Sequence, residues 1–350
     1  MSSRDGRQKT LSGHAASRRD VLRTLVSGCS LLALGGSLGG CASALSSPGA
    51  RFDAADVSGN PILLVATTRK PINGAREKPW FGPERAAKMT VARARLTPPD
   101  DSRFSLASVG LDDWRLDAIE KSPQIGDLFG LPGNARDVLI YVHGFNQTFE
   151  TAVLDAARLS DGIRFRGETM VFSWPSKAKL FDYGYDRESA MWSRDALEQV
   201  FAGLMASPTT GRIHVVAHSI GTMLTMEALR QIYARQGAAA ADRIASIVFA
   251  SPDIDMDVFT SSVQRIGPLA SKIAVVTATN DRALAVSGWM AGGVTRVGAA
   301  EKAELKRLGL HVIDASQEGW GIINHDLFLS NAQVRQVIRR AVDGLPMDGA

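Results

Sequence analysis

Ile213-His214-Val215-Val216-Ala217-His218-Ser219-Ile220-Gly221-Thr222-Met223-Leu224 is the stretch on which the reading of this chain turns. An apolar, β-branched run ends at Ala217 and a helical pattern begins at Thr222, with a serine held between two small residues, Ala217 and Gly221. A small-x-Ser-x-Gly sequence between strand and helix makes a sharp elbow that exposes the serine hydroxyl. Small flanking residues are needed because neighbouring backbones pass close to the turn. Ala217 stands where the stricter form of the pattern has glycine. A serine hydroxyl is a poor nucleophile unless a base lies beside it, so Ser219 is a candidate nucleophile in search of partners. The N–H of Ile220, the residue after it, is a candidate oxyanion donor.

Working outward, strands are expected at 62–68, 89–96, 138–143, 169–174, 213–217, 245–250, 273–277 and 311–313. Several, above all Val138-Leu139-Ile140-Tyr141-Val142, are continuously apolar, as strands buried on both faces are. Helices are expected at 149–159, 187–205, 222–235 and 332–342, the second capped by Asp186. Alternating strands and helices imply one doubly wound α/β domain over 61–345, with an eight-stranded, mostly parallel sheet covered on both faces. The first two strands have no helix between them and are expected to pair antiparallel at one edge. Residues 98–136, punctuated by Pro98-Pro99-Asp100-Asp101 and Leu131-Pro132-Gly133-Asn134, read as a long surface loop or a short hairpin.

Ligands of such sheets bind at the carboxyl ends of the strands. After 138–142 comes His143-Gly144-Phe145-Asn146, whose Phe145 or Asn146 backbone N–H is the candidate second oxyanion donor; His143 is then a structural residue of the turn. A hydrolytic triad in this fold class runs serine, acid, histidine along the chain. Of six histidines, only His311 and His325 follow every candidate acid. His311 opens a strand, and His325 lies in the loop before the last helix, so His325 is the expected base. Asp281, just after the strand at 273–277, is the expected orienting acid, with Asp253 and Asp255 as rivals that could instead close a turn or bind backbone N–H groups. Phe145, Asn146, Trp174 and Tyr185 are candidate substrate contacts. Only a short segment separates Asp255 from Ile273, too little for a large lid, which suits short or medium acyl esters.

Composition narrows the field. With 350 residues, 45% hydrophobic and 22% charged, the chain is neither collagenous, coiled-coil nor disordered, and two cysteines cannot build a disulfide scaffold. The formal charge of +4 resides in residues 1–40, where Arg4, Arg7, Lys9, Arg18, Arg19 and Arg23 oppose Asp5 and Asp20. The rest is neutral, so no electrostatic case for nucleic acid remains. Residues 1–40 read as an export signal: Ser17-Arg18-Arg19-Asp20-Val21-Leu22-Arg23 is twin-arginine-like, and an apolar, glycine-broken run from Thr24 to Gly40 follows. Leu38-Gly39-Gly40-Cys41 is lipobox-like, making Cys41 the expected lipidation site and 41–60 a flexible tether. Cleavage after Ala44 is the alternative. The expected location is the cell envelope, lipid-anchored and facing the periplasm, or soluble there if Cys41 is not lipidated. No glycine-rich phosphate loop or clustered metal ligands are seen, and no cofactor or metal is expected.

Taken together, His143-Gly144-Phe145-Asn146, Phe172-Ser173-Trp174-Pro175-Ser176, Tyr185-Asp186-Arg187-Glu188-Ser189-Ala190, Ala217-His218-Ser219-Ile220-Gly221, Ser251-Pro252-Asp253-Ile254-Asp255, Asp281-Arg282-Ala283-Leu284 and His325 resemble the α/β-hydrolase superfamily, and within it the bacterial DUF900 group. The resemblance covers about residues 60–340. It implies a single-domain α/β-hydrolase fold and a serine hydrolase triad but no settled substrate; with the short segment after Asp255, a carboxylic-ester hydrolase is the leading expectation. A noncatalytic envelope binding protein on the same scaffold, and a peptidase or amidase with the same triad, are the alternatives.

Overall fold

From Val138 to Val142 every side chain is at most 1% exposed, and the run is split between two cores. Val138, Ile140 and Val142 face one, Leu139 and Tyr141 the other. Alternate side chains of a strand point to opposite faces of its sheet, so a run apolar at every position requires cover on both sides. The computed structural model describes residues 61–99, 113–122, 135–278, 281–290, 293–316, 329 and 331–345, all within the unit Ala44–Ala350. The expected export signal, Cys41, the tether and His325 lie outside the described residues.

The strands are β1 (Ile62–Pro71), β2 (Phe81–Thr97), β3 (Arg115–Ser122), β4 (Arg136–Val142), β5 (Glu168–Ser173), β6 (Thr210–His218), β7 (Ile244–Ala250), β8 (Ile273–Thr277) and β9 (His311–Asp314). They form one sheet in the order β3-β2-β1-β5-β4-β6-β7-β8-β9. The pairs β1–β2 and β2–β3 are antiparallel and every other pair is parallel. Helices α1 (Phe149–Gly162) and α9 (Ala332–Val342) contribute to one core. Helices α2 (Tyr183–Trp192), α3 (Arg194–Ala206), α4 (Ile220–Gln236), α5 (Ala238–Arg243), α6 (Met256–Val263) and α8 (Lys302–Arg307) contribute to the other, while α7 (Arg282–Met290) follows β8. Thr148 caps α1, exchanging bonds with Thr151, and Asn331 caps α9.

Three expectations are corrected. Among the described residues the sheet has nine strands, because residues 115–122 inside the poorly legible 98–136 add β3 to the antiparallel edge. Its outer position explains the weak signal: only Leu116 is buried, against Leu96, while Glu120 pairs with Arg95 and Asp117 accepts from Thr97 in solvent. The expected helix at 187–205 is two helices that break at Ser193. There the Ser193 hydroxyl donates back to Ser189 O at 2.8 Å and meets the Thr68 hydroxyl at 2.9 Å, a side-chain bond that competes with helix continuation. Asp186 does not cap this segment. It lies inside α2, fully buried, and accepts its hydrogen bonds from the turns after β4 and β5.

Because Leu116 is the only fully covered side chain of β3, it measures whether that strand belongs to the fold. Leu116→Ala is expected to lower stability by about 2–4 kcal/mol in urea unfolding. A change within about 0.5 kcal/mol would mean that β3 is a dispensable surface segment.

Candidate active site

The elbow after β6 is built under visible constraint. Ser219 has φ 51° and ψ −123°, in the left-handed half of backbone space where a side chain is strained by about 1–3 kcal/mol. Four hydrogen bonds hold it there: its N–H donates to Ala250 O at 3.0 Å, and its carbonyl accepts from Asp253 N at 3.2 Å, Thr222 N at 3.0 Å and Thr222 Oγ1 at 2.6 Å. Helix α4 starts at the next residue, so the Ile220 N–H is one of the donors of a helix N-terminus that have no partner within the helix. Ser219 itself is 2% exposed.

Beside it lies the turn after β4, the neighbouring strand of β6. A Cβ on Gly221 would stand 2.4 Å from His143 O and 2.7 Å from Val142 O, and one on Gly144 would stand 2.9 Å from Ser219 Cβ. Both positions need glycine for close backbone approach. His143 is fully buried; Nδ1 lies 2.8 Å from Gly144 O, and Nε2 lies 3.1 Å from Trp174 O and 3.4 Å from Ser173 Oγ. Burial, reinforced by the positive charge of Arg69, drives its pKa well below the ordinary imidazole value. This neutral ring, with both nitrogens engaged, is a structural part of the turn.

Of the two N–H groups in this turn considered for the oxyanion, that of Asn146 donates to Asp186 Oδ2 at 3.4 Å. Among the described residues the Phe145 N–H has no acceptor. The Phe145 ring meets Tyr183 edge-on at 5.5 Å, and Asn146, at φ 61°, is exposed.

Trp174 has no exposed surface: its ring stacks on His143 at 4.7 Å and its Nε1 donates to His143 O at 2.8 Å. It therefore braces the turn from behind and does not line a solvent-facing pocket, contrary to the expectation from its place at a strand end. Tyr185 is tied to the β1–β2 edge, donating to Pro83 O at 3.0 Å, with Lys177 and Arg85 over its ring. The tyrosine that reaches the turn is Tyr183, which sequence reading missed; the Tyr183-Gly184-Tyr185 spacing alone does not say which ring turns inward. Arg69 was missed in the same way, and with Asp186 and Ser176 it bonds to the residues of this turn that follow Phe145.

The acids after β7 and β8 also separate. Asp253 is buried with both oxygens committed: Oδ1 to Ser287 Oγ at 2.8 Å and Arg296 Nε at 3.1 Å, Oδ2 to Tyr183 Oη at 2.8 Å. Burial and the Asp253 charge together push the Tyr183 hydroxyl up to about 12. Asp255 caps α6, accepting from Asp257 N and Val258 N, both at 3.0 Å. Asp281, 1% exposed, accepts on Oδ1 from Ala283 N at 2.9 Å and Leu284 N at 3.2 Å. His311 is exposed at the amino end of β9, away from the carboxyl ends where Ser219 lies.

Gly221→Ala tests the contact between the two turns. Its added methyl meets two backbone carbonyls that cannot rotate aside, so a loss of about 1–3 kcal/mol in urea unfolding is expected. Unchanged stability would show that the turns can separate at little cost.

Comparison with known proteins places residues 131–341 in a match to the family described as alpha/beta hydrolase of unknown function, DUF900. An uncharacterised protein of Nostoc sp. (strain PCC 7120), alr1448, is 25% identical over 122 residues, 28% of this chain and 32% of that protein. The chain thus spans about a third of the length of that curated relative. Solved structures that are similar include Est1E from Butyrivibrio proteoclasticus (TM-score 0.39, 12% identity, 73% of this chain and 94% of that one). An acetylxylan esterase solved at 0.90 Å resolution matches at TM-score 0.35 and 10% identity, covering 61% and 99%. A cutinase-like protein from Cryptococcus sp. matches at TM-score 0.34 and 14% identity, covering 61% and 97%. The family match extends over more than half of the sequence and contains the turn after β4, the serine elbow and the acids after β7 and β8, and by it the chain belongs to the DUF900 family of alpha/beta hydrolases.

Proposed function

We propose that this protein is a serine hydrolase that cleaves carboxylic esters through an acyl-enzyme on Ser219. The observation that carries the reading is the left-handed Ser219 backbone at the β6–α4 elbow, pressed against the turn after β4. Strain of this kind persists only where the surroundings impose it, and it collects at functional sites. Here it accompanies a serine at the carboxyl end of β6, next to Ile220 in the chain and against Gly144, the residue before Phe145.

In the proposed reaction His325 takes the Ser219 proton as Oγ attacks the ester carbonyl carbon. Negative charge moves to the carbonyl oxygen, where the N–H groups of Phe145 and Ile220 receive it. The C–O bond to the alcohol then breaks, and the alcohol leaves with the proton held by His325. Water, activated by the same imidazole, releases the acid and restores Ser219. Asp281 is the orienting acid: Oδ1 holds the start of α7, and Oδ2 is assigned to the far nitrogen of the imidazole. The segment from Ser251 to Lys272 holds only α6 and a short 3₁₀ turn, which favours an uncapped site and short acyl groups beside Phe145 and the exposed Asn146. Cys41 is proposed to carry a lipid that anchors the domain facing the periplasm.

Two measurements test these assignments. A fluorophosphonate probe should label the wild-type protein at Ser219, and Ser219→Ala should abolish labelling and lower p-nitrophenyl ester turnover by about 10⁴-fold or more. Failure of the folded wild type to label would remove the acyl-enzyme, and faster turnover of matched amides than esters would redirect the reading to an amidase. For the anchor, wild-type protein expressed with its leader should partition into the detergent phase of Triton X-114 and Cys41→Ser into the aqueous phase. Identical partitioning would exclude lipid at Cys41.

A further inference from the structure

The turn from His143 to Gln147 is clamped on both sides of Phe145. Before it, Trp174 Nε1 donates to His143 O, and the His143 ring lies against Gly144 O. After it, Asn146 N donates to Asp186 Oδ2, Gln147 N donates to Ser176 Oγ at 3.1 Å, and Gln147 O accepts from Arg69 Nη2 at 2.7 Å. The Phe145 N–H lies between the two halves of this clamp and has no acceptor among the described residues.

Two buried charges build the second half of the clamp. Arg69 is 1% exposed at the carboxyl end of β1, and Asp186 is fully buried in α2. They are joined through Ser176, whose hydroxyl donates to Asp186 Oδ2 and whose carbonyl accepts from Arg69 Nη1 at 2.9 Å. Asp186 Oδ1 accepts from Lys177 N at 2.8 Å, and Arg69 Nε donates to Ser173 Oγ at 2.9 Å. Burial lowers the Arg69 pKa to about 10, and burial also pushes the Asp186 carboxyl up against the hydrogen bonds that favour its charged form. Burying charge is costly, and a neutral pair of similar volume would pack without that cost. Both charges converge on the main chain of the turns after β4 and β5, which is the arrangement expected if the value of the device lies in backbone placement.

Resting on the serine hydrolase reading above, we infer that Asp186, with Arg69 and through Ser176, is a positioning residue that aims the Phe145 N–H at the oxyanion formed on the substrate. Neither charged side chain touches the reacting atoms. Each acts through the peptide groups that follow Phe145, so its loss should be felt in the transition state more than in substrate binding.

The test compares wild type, Asp186→Asn and Ser176→Ala on p-nitrophenyl acetate, with active sites counted by complete fluorophosphonate titration. Asp186→Asn is expected to lower kcat per titrated site by about 10–100-fold with KM within about twofold, below the 10²–10³-fold typical for outright loss of an oxyanion donor. Its affinity for a trifluoromethyl ketone, whose adduct with Ser219 carries an oxyanion, should fall by the same factor as kcat/KM. Ser176→Ala should show the same pattern at several-fold, and it decides the matter if Asp186→Asn does not fold. A purely structural role would reduce the number of titrated sites and leave kcat per site at the wild-type value, which overturns the inference. So would a rise in KM alone. A wild type that neither labels nor turns over would instead bring down the hydrolase reading, and this inference with it.

Discussion

The site depends on how closely two backbones approach. The Gly221 Cα, in the first turn of α4, lies so near the end of β4 that an added methyl would overlap His143 O and Val142 O. That approach follows from the sheet, because β4 and β6 are paired neighbours with Val142 opposite Ala217, although β5 separates them in the sequence. The serine elbow and the turn after β4 are therefore successive exits from adjacent parallel strands. Ser219 and the turn at Gly144 then border one small space without any long loop to bring them together.

Holding that space open stores unfavourable free energy in several forms. Ser219 and Asn146 adopt positive φ, Arg69 and Asp186 are buried charges, and His143 is buried without its proton charge. Each would relax if its neighbours moved apart. They are prevented by the two cores, one on each face of the sheet, in which the strands carrying these turns are covered at nearly every position. The Ser219 carbonyl alone accepts three bonds from the β7 loop and from α4, so the strained residue is fixed from more than one direction.

What the sequence made legible follows from how locally each feature is encoded. The parallel strands could be read because burial on both faces leaves unbroken apolar runs such as Val138–Val142. The elbow was legible because strand, serine, glycine and helix are contiguous. β3 was not, since an edge strand with one buried leucine looks like a polar loop. Trp174 and Tyr185 read as ligand contacts because they are aromatics placed near strand ends. The partners the fold gives them, His143 and Pro83, lie far away in the chain and have no signal near either aromatic. Asp186 looked like a helix cap because an acid ahead of a helical pattern usually is one; only the fold shows that the helix begins earlier and that the carboxylate faces inward.

The motifs that link the chain to its family have a physical interpretation in this light. Ser173, Trp174 and Ser176 come from one of them and Asp186 and Ser189 from another, and these side chains are all buried. The first four bond to the turns after β4 and β5 or to the Arg69 that braces them. Ser189 accepts from Arg85 Nε at 3.0 Å and, through its carbonyl, from the Ser193 hydroxyl that ends α2. These residues specify the shape of a turn and the helix beside it, and none of them need contact an acyl or alcohol group to do so. Side chains that remain exposed around the turn, of which Asn146 is one, can change without disturbing the buried clamp beneath them. A turn fixed from beneath in this way keeps its shape whatever its exposed residues are, which is why these motifs identify the fold and not a substrate.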